Sequence, residues 1–96
     1  MTNNEQFKAE CKAKCDEIFK ASLKDPYEWI WRNALSIEQD GKYLRVQTCY
    51  GGPTEWWTFN TESHKGRYFY HYGNVQCLKA FGKGTYKKIM EANMMM

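Results

Sequence analysis

Lys42 to Tyr72 reads KYLRVQTCYGGPTEWWTFNTESHKGRYFYHY and holds most of the aromatic residues of the chain. Leu44, Val46 and Thr48 alternate with Tyr43, Arg45, Gln47 and Cys49, the period of two that sends successive side chains to opposite faces of a strand. Gly51-Gly52-Pro53 breaks the run, because proline has no N–H to give to a ladder and glycine accommodates a turn. Thr54 to Asn60, with Trp56, Trp57 and Phe59, reads as a returning strand. The polar Thr61 to Gly66 makes a second turn, and Arg67 to Tyr72 is a further strand ending at Gly73-Asn74. This stretch predicts the middle of an antiparallel meander.

The flanks extend that reading. On the N-terminal side, Ala34 to Gln39 alternates Leu35 and Ile37 with Ser36 and Glu38, and Asp40-Gly41 is read as the positive-φ pair of a type I′ hairpin. Tyr27 to Arg32, YEWIWR, fits either a strand or a helical turn. Before it, Asn3 or Asn4 can cap a helix and Glu5 suits its first turn. Phe7, Cys11, Cys15, Ile18, Phe19, Ser22 and Leu23 then recur at helical spacing, opposite Lys8, Lys12, Asp16, Lys20 and Lys24. Asp25-Pro26 stops this helix, since a residue before proline is pushed out of the helical region. On the C-terminal side, residues 75–83 fit a short strand or one helical turn. Beyond Gly84, Thr85 can cap a helix with Tyr86, Ile89, Met90 and Met94 on its stripe and Lys87 and Lys88 outside it, the last methionines fraying. The expected fold is α+β, one domain over residues 1–96: an N-terminal helix packed on a three- or four-stranded antiparallel meander, with a short C-terminal helix.

A chain of 96 residues has room for one modest core, and its 17% aromatic share means that much of it is Trp, Tyr and Phe. No stretch approaches the roughly 18 apolar residues of a membrane span, and the N-terminus lacks the apolar segment of a secretion signal, so a cytoplasmic protein with no membrane partner is expected. Cys11, Cys15, Cys49 and Cys77 are then expected as reduced thiols. The net charge is +3, unevenly placed. Residues 1–62 carry eight basic against ten acidic side chains, whereas beyond them Lys65, Arg67, Lys79, Lys83, Lys87 and Lys88 face Glu91 alone. The C-terminal third is a basic region.

Constellations that could carry chemistry are few. Cys11 and Cys15 lie one helical turn apart and could bind zinc with Cys49, Cys77, His64 or His71, but both fall on the apolar stripe, and buried thiols are the stronger reading. His64 and His71 are the natural starting points for acid–base work, yet no serine or carboxylate is placed by sequence to complete a triad with either. Gly51-Gly52-Pro53-Thr54 lacks the lysine and following helix of a phosphate loop. No enzyme, cofactor or metal is expected. Lys65 to Tyr72 mixes cations and aromatics on one strand, the chemistry that stacks bases and neutralises phosphates. It resembles the RNP1 strand of RNA-recognition domains at Lys65, Gly66, Phe69 and Tyr72, and departs from it at Arg67 and Tyr68. The competing reading packs alternate aromatics under the first helix and leaves Arg67 and His71 in water. In the pair Trp56-Trp57 one ring must point away from the other, and an exposed tryptophan is a favoured anchor for a protein partner.

Cys49, Tyr50, Gly51, Gly52, Pro53 and Trp57, a Cys-Tyr-Gly-Gly-Pro turn with a tryptophan soon after it and a helix before, resemble small orphan proteins of phages and mobile elements. Some of that kind are anti-CRISPR or other anti-defence inhibitors, which bind a nuclease complex without catalysis. Many of those imitate nucleic acid with an acidic surface, and this mildly basic chain departs from that pattern. The resemblance implies a non-enzymatic inhibitor of a protein or ribonucleoprotein target in the host-cell cytoplasm, and carries over no functional residue. Independently of it, the candidate contacts are Trp56, Arg67, His71, Lys83, Lys87 and Lys88. The alternative is a direct single-stranded nucleic-acid binder using Lys65, Arg67, Tyr68 and Tyr70.

Overall fold

Asn3–Lys24 forms the first helix, α1, in a computed structural model that describes residues 3–94. The side chains of Asn3 and Met94, and residues 95 and 96, lie outside what is described, and so do the cap read at Asn3, the stripe position read at Met94 and the fraying read for the last methionines. The stripe of α1 faces the core as its spacing predicts: Cys11, Cys15 and Ser22 are buried, with Phe7, Ile18, Phe19 and Leu23 beside them. Buried Ser22 is satisfied by donating its hydroxyl to the Ile18 carbonyl at 2.7 Å, the usual back-bond of a helical serine.

The helix ends before Asp25-Pro26, and the chain turns at once into a single π-helical turn, Tyr27–Trp31, closed by the Arg32 N–H on the Tyr27 carbonyl at 2.8 Å. The Asp25 carboxylate accepts the Glu28 N–H at its start, and the Asn33 side-chain amide donates to the Glu28 carbonyl at its end. Ile30 and Trp31 point inward, whereas Trp29 stays on the surface. The segment that sequence left open is therefore helical.

Five strands follow: β1 (Ser36–Asp40), β2 (Tyr43–Cys49), β3 (Pro53–Asn60), β4 (Lys65–Tyr72) and β5 (Val75–Phe81). They pair antiparallel in chain order as one open sheet, one strand more than the largest number expected, because Val75–Phe81 is extended. Asp40 pairs with Tyr43 and Tyr72 with Val75, so the loops are Gly41-Lys42 and Gly73-Asn74. Gly41 and Gly73 have φ of 59° and 61°, and neither Asp40, Lys42 nor Asn74 is among the residues with positive φ. Both turns thus place glycine at the first central position, as type II′ requires, and the type I′ turn read at Asp40-Gly41 is corrected. Pro53 opens β3 opposite Tyr72, the first-residue position that strand prolines occupy.

β3 and β4 are joined by residues 61–64, tied by the Asn60 side chain, which accepts the Glu62 and Ser63 N–H groups. His64 takes a left-handed φ of 58° there, a conformation that histidine tolerates better than most side chains. Its ring, exposed in the turn, stacks on Tyr86 at 5.0 Å and fastens the turn to the second helix. That helix, α2, spans Lys83–Met94. The Tyr86 N–H bonds the Gly82 carbonyl, which sets the start before Lys83 and puts Thr85 inside the first turn instead of at the cap.

All the helical elements lie on one face of the sheet. Phe19 of α1 stacks on Trp57 and Tyr68, Trp31 stacks on Phe59, and the Trp31 indole N–H donates to the Ile89 carbonyl of α2 at 2.8 Å. The core is accordingly Val46, Trp57, Phe59, Tyr68, Tyr70, Val75 and Phe81 from the sheet, with Cys11, Cys15, Ile30, Trp31 and Ile89 laid over them. No helix among the described residues is long and apolar enough to cross a membrane.

Candidate functional site

The strand register sorts every side chain of the sheet by face. On the face opposite the helices, Gln47, Trp56, Phe69 and Leu78 stand side by side on β2 to β5. Beside them runs a second row of Glu38, Arg45, Thr58, Arg67 and Ala80 on β1 to β5. Trp56 and Phe69 are half-buried among their neighbours, while Leu78 is 54% exposed at the β5 edge. An apolar row with arginines alongside it thus faces solvent.

The short side chains of Thr58 and Ala80 lower the floor between the taller residues. The result is a shallow groove of about 1010 Å³ lined by Tyr43, Arg45, Trp56, Thr58, Arg67 and Phe69 among others. At one end the Arg45 guanidinium sits 5.9 Å from the centre of the Tyr43 ring and 3.5 Å from the Asp40 carboxylate, and the Lys42 ammonium lies 5.5 Å from the same ring. Outside the groove, on the same face, His71 lies against Phe69, ring centres 6.2 Å apart. Among the described residues, Lys65 and Arg67 form no ion pair, whereas Arg45, Lys79 and Lys87 each have a carboxylate partner.

Of the residues expected to contact a partner, Trp56, Arg67 and His71 come together on this face. Lys83, Lys87 and Lys88 do not join them: they are exposed on α2, which packs on the other face, and Lys87 is 3.8 Å from Glu91. The four residues of the nucleic-acid reading also divide. Lys65 and Arg67 are on the uncovered face, but Tyr68 and Tyr70 are buried beneath α1, at 0% and 4% exposure, and offer no ring to a ligand. Strand alternation decides this, because even-numbered residues of β4 point to the helices. Tyr43, Arg45, Phe69 and Leu78 were missed as candidates. Their alternation was visible in the sequence, but the register that lines them up across strands was not.

The groups with perturbed protonation all belong to the covered side. Burial, with Cys77 close by, pushes the Cys15 thiol up to about 11, and burial raises Cys11 as well. Burial also raises Tyr68, whose hydroxyl donates to the Glu55 carboxylate at 2.6 Å. Cys49, read as sharing a face with Tyr43 and Arg45, lies on the covered side opposite Glu55, because a bulge between Gln47 and Cys49 reverses the alternation. Its thiol is raised by burial and by that carboxylate. Lys79 and Asp16 form an ion pair between β5 and α1, which lowers Asp16 and raises Lys79. Among the described residues no three His, Cys, Asp or Glu side chains converge on a metal position, and all four cysteines are unbridged.

Comparison with family models, with curated proteins and with solved structures finds no match to this chain.

Proposed function

We propose that this protein is a non-enzymatic binding protein that holds a macromolecular target, a protein or ribonucleoprotein, against the uncovered face of its sheet. The observation that supports this is the unbroken row of Trp56, Phe69 and Leu78 beside Arg45 and Arg67, on a face that no helix among the described residues covers. Tryptophan and arginine are the residue types that most often dominate binding energy, and a cluster of them ringed by polar groups is the anatomy of an interface centre. The resemblance of the Cys49–Pro53 turn to phage and mobile-element proteins narrows the target to a host nuclease complex, with the protein acting in the host cytoplasm as an anti-CRISPR-like inhibitor.

The test is inhibition of DNA cleavage by purified CRISPR effector complexes, together with capture of those complexes on the immobilised protein. Inhibition and capture are expected for the wild type, and at least tenfold weakening for the double variant Trp56→Ala/Phe69→Ala, since each residue is a central aromatic anchor. Replacing Lys87 and Lys88 together by alanine should leave both readouts unchanged. Absence of any effect on cleavage would remove the inhibitor reading, and loss of capture through the lysine pair alone would move the surface to α2.

A further inference from the structure

We propose that the uncovered face binds single-stranded nucleic acid, with Trp56 and Phe69 as the stacking platform and Arg45, Lys65 and Arg67 as the phosphate contacts. This rests on the reading of that face as the working surface and names what touches it. Trp56 and Phe69 stand opposite each other on adjacent strands, and strands in a sheet are spaced about 4.8 Å apart. Two neighbouring aromatic side chains on an open sheet can each carry an unstacked base, a contact available to any base because every base has a π face.

The cations are placed to serve the backbone of the same strand. Arg67 pairs across Thr58 with Arg45 on the other side, so the two guanidinium groups flank the floor of the groove one row away from the aromatic pair. Lys65 lies two residues from Arg67 on the same face of β4. Lys65 and Arg67 form no ion pair among the described residues; the carboxylate that lines the same groove, Glu38, stands at its far side across Arg45. For a purely protein partner an unpaired arginine beside a tryptophan would suffice. Two unneutralised cations and a third held only at 3.5 Å by Asp40, all set along one side of an aromatic pair, suit a ligand that alternates flat rings with anions.

Thr58 and Gln47, on the same face, supply short donors and acceptors for base edges without blocking the rings. Duplex is a poor ligand for such a surface, because its bases are already stacked and a shallow open sheet has no element to enter a groove. The platform differs from one built on the β4 tyrosines: only alternate residues of that strand face outward, and the second ring comes from β3.

The experiment is fluorescence anisotropy of a labelled 12-nucleotide oligo(U) and oligo(dT), with the matching duplex and heparin as comparators. Binding to both single strands is expected, falling about twentyfold between 50 and 200 mM salt, as three phosphate contacts would give. Trp56→Ala and Phe69→Ala should each weaken it about tenfold, with Trp56→Phe restoring most of the loss. Arg67→Gln should flatten the logarithmic salt slope by about 0.7. Circular dichroism melting checks that these surface variants remain folded. Absent binding, or equal binding to duplex and heparin that survives loss of both rings, overturns the inference. If the ring variants lose a nuclease complex while the wild type ignores oligonucleotides, the face is the working surface and its ligand is protein. If neither target nor oligonucleotide responds to them, the face itself is wrong.

Discussion

Gly66 pairs with Phe59 on one side and Phe81 on the other, and a methyl group on its Cα would stand 2.5 Å from both the Phe81 ring and the Thr58 carbonyl oxygen. The ring can swing, but the carbonyl belongs to the β3 ladder and cannot. Gly66→Ala is therefore expected to destabilise the fold by about 1 to 3 kcal/mol, the usual cost of overpacking, read as a lower urea midpoint with an unchanged slope; an unaltered midpoint would mean that the strands separate freely here. The sequence placed Gly66 in the second turn, because an isolated glycine signals a turn or a close approach and nothing local separates the two. Cys49 shows the same limit. Its alternation with Tyr43 and Arg45 predicts a place on their face, and one bulged residue sends it to the opposite one.

At the scale of elements, the π turn is what joins the two helices to the sheet. Trp31 lies on Phe59 with ring centres 5.9 Å apart and donates its indole N–H to the Ile89 carbonyl. That hydrogen bond is buried and reaches from the π turn to α2. Trp31→Phe keeps an aromatic ring over Phe59 and removes the donor, so a loss of about 0.5 to 1.5 kcal/mol is expected. Hydrogen exchange locates it: amides of α2 should exchange faster than those of β3, whereas a uniform change in both would show that Trp31 acts only through the common core. The α1 stripe and the β2, β3 and β4 strands were legible because each repeats its period long enough to be recognised. Five residues of YEWIW span little more than one helical turn, too few to tell its period from that of a strand, and Val75–Phe81 alternates too weakly to separate a strand from a helical turn.

For the molecule as a whole, the decisive question was which face of the sheet the helices cover, and the sequence left it open for a physical reason. Large aromatics stand on both faces, Trp57, Tyr68 and Tyr70 on one and Trp56 and Phe69 on the other, so hydrophobicity alone does not distinguish core from binding surface. The helix packing distinguishes them, and the thiols and phenols that burial raises follow it onto the helix side: Cys11, Cys15, Cys49, Tyr68 and Tyr70. A thiol that is harder to ionise in the fold than in the unfolded chain contributes stability that is complete below the unfolded pKa and is lost as pH climbs through the folded one. For Cys15 that window runs from the ordinary 9.0 to about 11, and a two-unit shift corresponds to about 2 to 3 kcal/mol. Tyr68 and Tyr70 act in the same direction from their ordinary 10.0 upward. Urea unfolding at pH 7.5 and pH 10.5 under reducing conditions should therefore show a clear drop in the midpoint at the higher pH. Cys15→Ala should lower stability at pH 7.5 through the cavity it leaves, yet lose less than the wild type on going to pH 10.5. Equal losses in the two proteins would mean that Cys15 is not held neutral between α1 and the sheet, and that the alkaline limit of the fold is set by the buried tyrosines.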